Sequence, residues 1–237
     1  LVGEQRVRCS AREKDFYVLM FPWSVVDFLE SFGEIPIPPY LGRSQSLIDE
    51  SRYQTVYGKR LGAIAAPTAG LHITEELLSE IEERAVKVAE LTLHIGAGTF
   101  QPIRTDNIEE HQMHKEWYEI PKETADQIHT TKKQGGRVVA VGTTVVRALE
   151  SAATGGVLDE QQLTGDTSLF ITPGFHFQIV DCLLTNFHLP RSSLLLMVAA
   201  FGGQKRVLNA YKEAVKQGYR FFSYGDASWL EKDSCSN

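Results

Sequence analysis

The sequence predicts an α/β fold, a mixed sheet flanked by helices, and three observations carry that expectation. Apolar positions switch between a spacing of two and a helical spacing several times after Thr74. The helical stretches open near Thr or Ser and close at Gly, so their ends are marked. Between them, Arg137 to Val141 is short and nearly all apolar, as a strand is when both faces of its sheet are covered.

The elements follow in order. Arg6 to Ser10 and Phe16 to Phe21 read as two strands joined by the charged turn Ala11 to Lys14. Two short strands are unstable alone in water, so they call for a sheet lying ahead of Leu1. Val25, Val26, Leu29 and Phe32 share a helical face closed by Gly33, and the prolines between Ile35 and Tyr40 force an extended connector. Thr74 is placed to cap a helix whose first turn holds Glu75 and Glu76. Leu77, Leu78, Ile81, Ala85 and Val88 form its expected buried stripe. Leu91, Leu93 and Ile95 then alternate with polar neighbours as a strand.

A helix from Pro121 to Lys133 should stop at Gly135-Gly136, and the strand ending at Val141 should turn through Gly142-Thr143-Thr144 into a helix carrying Arg147 and Glu150. Strands are expected at Leu169 to Thr172 and Phe175 to Leu184. Ser192 or Ser193 caps the next helix, which ends at Gly202-Gly203. Val207, Leu208, Tyr211, Ala214 and Val215 line a final helix, and Tyr219 to Tyr224 reads as the last strand.

Composition narrows the function classes. The 237 residues, 43% hydrophobic and 23% charged, have the balance of an ordinary soluble globular protein rather than a fibrous or low-complexity one. The longest apolar run, Leu194 to Phe201, is too short to span a bilayer, and no export signal opens the chain, so no membrane is expected. The first residue is Leu rather than Met, and the opening reads as the interior of a longer chain. Cys9, Cys182 and Cys235 are scattered, which argues against disulfides and paired-thiolate zinc sites and for the cytoplasm. A net charge of −6 requires that any nucleic-acid contact come from a local patch drawn from Lys59-Arg60, Lys132-Lys133, Arg191 and Lys205-Arg206. No exposed apolar stripe is evident, so a monomer is expected.

Four stretches concentrate chemistry. Ala65 to His72 is a small-residue loop that lets backbone approach a ligand, or else a tight packing loop. His94 to Phe100 holds Gly96 and Gly98 after a strand, but Gln101 and Pro102 follow where a dinucleotide-binding helix would start, so that fingerprint is rejected. Gly142-Thr143-Thr144 opens a helix whose N–H groups suit a carboxylate or phosphate, though both threonines are also ordinary caps. Thr185 to Ser192 crowds Asn186, His188 and Arg191 into a Pro-stiffened turn after a strand carrying Asp181. A further set, His111, His114 and Glu116, resembles a two-histidine, one-carboxylate metal site without the usual spacing, and leaves a metal-dependent hydrolase as the rival reading.

From about Glu34 to Leu230 the sequence resembles the S-adenosylmethionine:tRNA ribosyltransferase-isomerase family of queuosine biosynthesis. The matching motifs are Pro38 to Tyr40, Tyr53 to Tyr57, Ala65 to His72, His94 to Phe100, His111-x-Met113-His114, Val141 to Glu150, Pro173-Gly174, Thr185 to Ser192 and Arg220 to Asp226. Ile73, Ala97 and Val145 depart from the family pattern, and Val145 weakens a side-chain role in the Gly-Thr-Thr turn.

The resemblance implies that the ribosyl group of S-adenosylmethionine passes to 7-aminomethyl-7-deazaguanine at the wobble position of a tRNA, giving epoxyqueuosine and releasing adenine and methionine. It implies S-adenosylmethionine as co-substrate, no metal, and an N-terminal remnant of a small antiparallel β-barrel over residues 1–22 ahead of a catalytic domain over 23–237. His188 or His94 is the expected base, oriented by Asp181 or Asn186, because a neutral imidazole suits proton removal near pH 7. Thr68, Gly70, His72, Gly96, Gly98, Thr143, Thr144, Asn186 and Phe187 are the expected S-adenosylmethionine contacts. Aromatic faces at Phe175, Phe177 and Phe187 suit the sulfonium, as does Asp181. Arg191, Lys59 and Arg60 are the expected tRNA contacts. A chain lacking part of its pocket would instead bind RNA or cofactor without turnover.

Overall fold

The computed structural model describes residues 6–13, 16–37, 41–96 and 113–233. The architecture is mixed α/β, and the chain divides into two units at residues 1–50 and 51–237.

In the first unit, β1 (Arg8–Glu13) and β2 (Phe16–Met20) form the expected antiparallel hairpin, with a register shift between Cys9 and Ala11. Every residue of both strands is exposed, including the five apolar residues of β2. The premise behind the monomer expectation, that no apolar stripe is exposed, therefore does not hold. Helix α1 (Val25–Phe32) buries Phe28 among Phe21, Trp23 and Phe32, with ring centroids 4.8–5.3 Å away. It ends at an extended Gly33, where a Cβ would collide with the Leu29 carbonyl oxygen, so the position requires glycine. Helix α2 (Leu47–Arg52) lies across the division between the units.

In the second unit, α3 (Glu75–Glu83) starts where predicted, with Thr74 Oγ1 accepting from the Leu77 N–H. Its apolar stripe is not buried, however. The helix stops at Glu83, Ala85 takes a φ of +58°, and no residue of α3 is enclosed. Strands β3 (Thr92–His94), β4 (Glu116–Glu119) and β8 (Thr164–Thr167) make an antiparallel sheet in the order β3-β4-β8. Helix α4 (Lys122–Lys133) precedes β5 (Val139–Val141), and α5 (Thr143–Ser151) follows it. The ribbon β6 (Ala153–Thr154) and β7 (Val157–Leu158) leads on to β8. Strand β9 (Cys182–Asn186), helices α6 (Ser193–Gly202) and α7 (Gln204–Lys216), and β10 (Ala227–Glu231) complete the unit.

The second sheet has the order β10-β9-β5, antiparallel between β10 and β9 and parallel between β9 and β5. The predicted single mixed sheet is thus two sheets of three strands, and β5 is half-covered rather than covered on both faces, with Val139 43% exposed. The core runs from Tyr118 and Ile120 through Val146 and Leu149 to Leu183, Val198 and Phe201.

Three predicted strands fall elsewhere, and in each a side chain takes backbone groups that a neighbouring strand would otherwise pair. At 169–172, Leu169 donates to Thr167 Oγ1 and its carbonyl accepts from Arg147 Nε. At 178–180, three successive N–H groups donate to the Glu150 carboxylate at 2.7, 3.0 and 3.0 Å, so β9 begins only at Cys182. At 219–224, Arg220 N–H donates to Asp226 Oδ2 and Phe222, at φ +71°, turns the chain, so the last strand starts at Ala227.

Candidate active site

Parallel strands β5 and β9 end side by side, and the chain has to leave both at that edge. Ligands gather at such carboxyl ends in open α/β sheets. Gly142 follows β5 with φ +102°, a conformation that favours glycine, and donates to the Leu184 carbonyl at 2.8 Å. It starts α5 beside Ala69, since a Cβ on Gly142 would stand 3.6 Å from the Ala69 Cβ. Thr143 is buried and Thr144 half-buried at that helix start. Asn186 closes β9 and is 2% exposed.

The small-residue loop arrives at the same place. Residues Thr68–His72 form a 3-10 turn, with Thr68 Oγ1 3.4 Å from Asn186 Oδ1 and His72 Nε2 3.0 Å from Asn186 Nδ2. Gly70 is buried so closely that a Cβ would collide with the Tyr57 hydroxyl and stand 2.7 Å from Thr55 Cγ2. Burial pushes the Tyr57 phenol up to about 12, so it stays protonated. Gly70→Ala is expected to destabilise the protein by about 1–3 kcal/mol, because overpacking shifts the turn. An unchanged urea midpoint would contradict that fit.

Arg220 and Asp226 were not among the expected site residues. They close a loop beside His72: Arg220 donates through its backbone N–H, Nε and Nη2, at 2.8, 3.2 and 2.6 Å, to the Asp226 carboxylate. Those bonds hold Asp226 below the usual carboxylate range. Burial lowers the His72 pKa, Asp226 opposes that shift, and Arg220 adds to it. The pair belonged to a motif that the sequence displays, but a strand reading put its two members out of reach of each other.

The other expected residues are placed as follows. His188 is 8% exposed, with Nε2 3.1 Å from Thr185 Oγ1 and its N–H donating to the Tyr211 hydroxyl. Burial pushes it down to about 4. Phe187 is enclosed by Tyr211, Tyr219 and Phe221 at 5.2–5.5 Å. Phe177 packs on Phe175 and Phe201 in the core, at 4.9 Å from each. Asp181 lies just before β9, at the opposite end of that strand from Asn186. It accepts from the Val138 N–H and faces Lys132 and Lys232 at 3.7 and 3.8 Å, so it does not meet His188.

His94 stacks on Trp117 at 4.7 Å in the other sheet, and its Nε2 is buried with no hydrogen-bond partner among the described residues. The Ile95 carbonyl beside it accepts from Ile64 and Ala65, which ties that strand to the loop entering the 3-10 turn. Gly96 has open space where a Cβ would stand, and Gly98 and His111 lie outside the described residues. Lys59 and Arg60 pair with Glu90 and Glu119, while Arg191 is exposed at φ +60°. The described members of the metal set do not come together: His114 is exposed, whereas Glu116 is buried against Arg147. The rival hydrolase therefore loses its carboxylate.

The buried His188 gives a pH signature. Its folded pKa lies below the 6.5 of an exposed histidine, so the unfolded chain binds the extra proton. Stability is fully present above pH 6.5 and is lost as pH falls toward 4. Between pH 7 and 5 this one group should remove about 2 kcal/mol. Urea unfolding of wild type and His188→Leu at both pH values tests this. Equal pH dependence in the two proteins would show that His188 does not titrate across folding.

A family model described as queuosine biosynthesis protein matches residues 3–230. The S-adenosylmethionine:tRNA ribosyltransferase-isomerase of Polynucleobacter asymbioticus is 54% identical over 91% of this chain and 60% of its own length. The one from Cupriavidus pinatubonensis is 52% identical over 95% of this chain and 64% of its own. A crystal structure of S-adenosylmethionine tRNA ribosyltransferase from Thermotoga maritima, 49% identical, superposes with a TM-score of 0.57 over 68% of this chain and 51% of that one. The chain thus spans about three-fifths of the length of these two relatives. With nearly all of its length matched by the family model, the chain belongs to the queuosine biosynthesis protein family.

Proposed function

We propose that this chain carries the core of an S-adenosylmethionine:tRNA ribosyltransferase-isomerase, moving the ribosyl group of S-adenosylmethionine to 7-aminomethyl-7-deazaguanine at a tRNA wobble position. Adenine and methionine leave, and the ribose becomes the epoxycyclopentanediol of epoxyqueuosine. The observation that carries the reading is the meeting of the Thr68–His72 turn, the α5 start and Asn186 at one sheet edge. The α5 first turn offers N–H groups with no carbonyl four residues back, which suits the methionine carboxylate. Thr68, Gly70, His72 and Asn186 then border the nucleoside, with Thr143 and Thr144 at the amino-acid end.

Of the two expected bases we take His94, because its Nε2 has no hydrogen-bond partner among the described residues, whereas His188 is enclosed and its Nε2 is engaged by Thr185. Arg191, Lys59 and Arg60 are the proposed tRNA contacts. The last two sit in exposed ion pairs, each worth only about 0–1 kcal/mol, so exchange for phosphate costs little. The substrates put the protein in the cytoplasm. The exposed β1–β2 hairpin fits a small antiparallel β-barrel, since a ribbon alone is not stable.

Adenine release from S-adenosylmethionine, with and without tRNA bearing the 7-aminomethyl base, tests the function. Release that requires this tRNA is the expected result, and His94→Ala should slow it by about 10²–10⁴-fold. A folded protein that binds S-adenosylmethionine without releasing adenine would make this chain a binding fragment.

A further inference from the structure

Asn186 is the polar centre of the sheet edge, and the carbonyl oxygens around it favour one orientation of its amide. Nδ2 lies 3.5 Å from each of the carbonyl oxygens of Ser223 and Gly225, and 3.0 Å from His72 Nε2. Oδ1 lies on the Thr68 hydroxyl. Turned over, the amide would set its oxygen against two carbonyl oxygens, all three acceptors. The 3.5 Å contacts are too long to be strong bonds, but their sign favours this orientation over the flipped one.

With Nδ2–H aimed at His72, Nε2 must accept. A proton there would set one donor against another, in the neutral ring and the imidazolium alike. The neutral imidazole that remains carries its proton on Nδ1. Nδ1 has no hydrogen-bond partner among the described residues, and the half-buried ring stands at the proposed ligand site. The charged groups near it are Asp226 and Arg220, and they are bonded to each other.

We propose that Asn186 is a positioning residue that holds His72 as the neutral Nδ1–H imidazole, so that His72 donates a hydrogen bond to a lone pair of the bound nucleoside and takes up no proton. The identity of that ligand rests on the function proposed above, whereas the tautomer rests on Asn186 alone. Histidine here serves as a fixed neutral donor whose contribution comes from its preset orientation.

The test is long-range ¹H–¹⁵N correlation on the ¹⁵N-labelled chain at pH 7, with His72 assigned by its loss in His72→Gln. The expected spectrum has a protonated Nδ1 and a bare Nε2. A proton on Nε2, or on both nitrogens, overturns the proposal. Asn186→Asp replaces the donor by an acceptor and should move the proton to Nε2 or charge the ring. An unchanged tautomer removes Asn186 from the role.

Adding S-adenosylmethionine should shift the Nδ1–H resonance, and calorimetric binding without such a shift removes the ligand contact. Absence of any binding sinks the proposed function and the ligand contact together, while the spectrum still decides the tautomer. In turnover, His72→Gln keeps a donor and should lose at most about tenfold, whereas a loss of about 10²–10⁴-fold would mark proton transfer and overturn the donor role.

Discussion

Glu116→Leu is expected to destabilise the protein by about 3–5 kcal/mol, because it leaves the buried Arg147 guanidinium without its counter-charge. Arg147 is 5% exposed and donates through Nη1 to Glu116 Oε2 at 2.5 Å and through Nε to the Leu169 carbonyl at 2.9 Å. Burial lowers its pKa and Glu116 opposes that shift, so the pair holds a charge where the interior disfavours one. It also ties the antiparallel sheet to α5, whose first turn forms part of the candidate site. The double change Glu116→Leu with Arg147→Met should recover most of the loss, since an apolar pair asks for no desolvated charge. The urea midpoint reads both variants. A single variant within about 1 kcal/mol of wild type would put the pair in the class of exposed bridges.

The second large effect belongs to Glu150, on the same helix. Its Oε1 accepts from the N–H groups of Ile179 and Val180, and its Oε2 from that of Gln178. Removing the carboxylate in Glu150→Ala leaves three donors to find new partners, two of them in bonds that are fully buried. At about 1–3 kcal/mol for each unsatisfied donor, the loss should be at least about 3 kcal/mol. Glu150→Gln keeps one oxygen and should lose less. Hydrogen exchange at residues 178–180 gives the local readout, because those amides should become the first in their neighbourhood to exchange. Protection equal to wild type would mean that solvent or backbone replaces the carboxylate without cost. The segment feeds β9, so its loosening should reach Asn186 at the other end of that strand.

Much of the local structure was legible in the residues. Thr74 and Ser192 cap the helices they were expected to cap, and Gly33, Gly135, Gly203 and Gly218 stand where helices end. The choice between Ser192 and Ser193 needed the structure: the Ser192 hydroxyl accepts from the Leu195 N–H. Caps, breakers and helical spacing act within a turn or two of chain, so sequence exposes them directly. The family was equally legible, because its motifs follow one another in the family's order from Pro38 to Asp226.

What lay beyond the sequence were partners distant along the chain. Arg147 and Glu150 read as members of a helix, yet the guanidinium takes the Leu169 carbonyl and the carboxylate the N–H groups of 178–180 in place of strand pairing. The apolar stripe of α3 was read correctly as a spacing and wrongly as a buried face, because burial depends on what lies opposite. Asp181 and His188 are close in sequence and stand at the two ends of one strand. Asn186 and His72 are 114 residues apart and lie 3.0 Å from each other. The sequence by itself determined most of the helices, their caps and stops, and the family, since the first three depend on local sterics and hydrogen bonding. The tertiary structure alone decided which charges are buried, which histidine meets Asn186 and on which nitrogen it accepts, because burial and hydrogen-bond direction are properties of the neighbours that folding supplies.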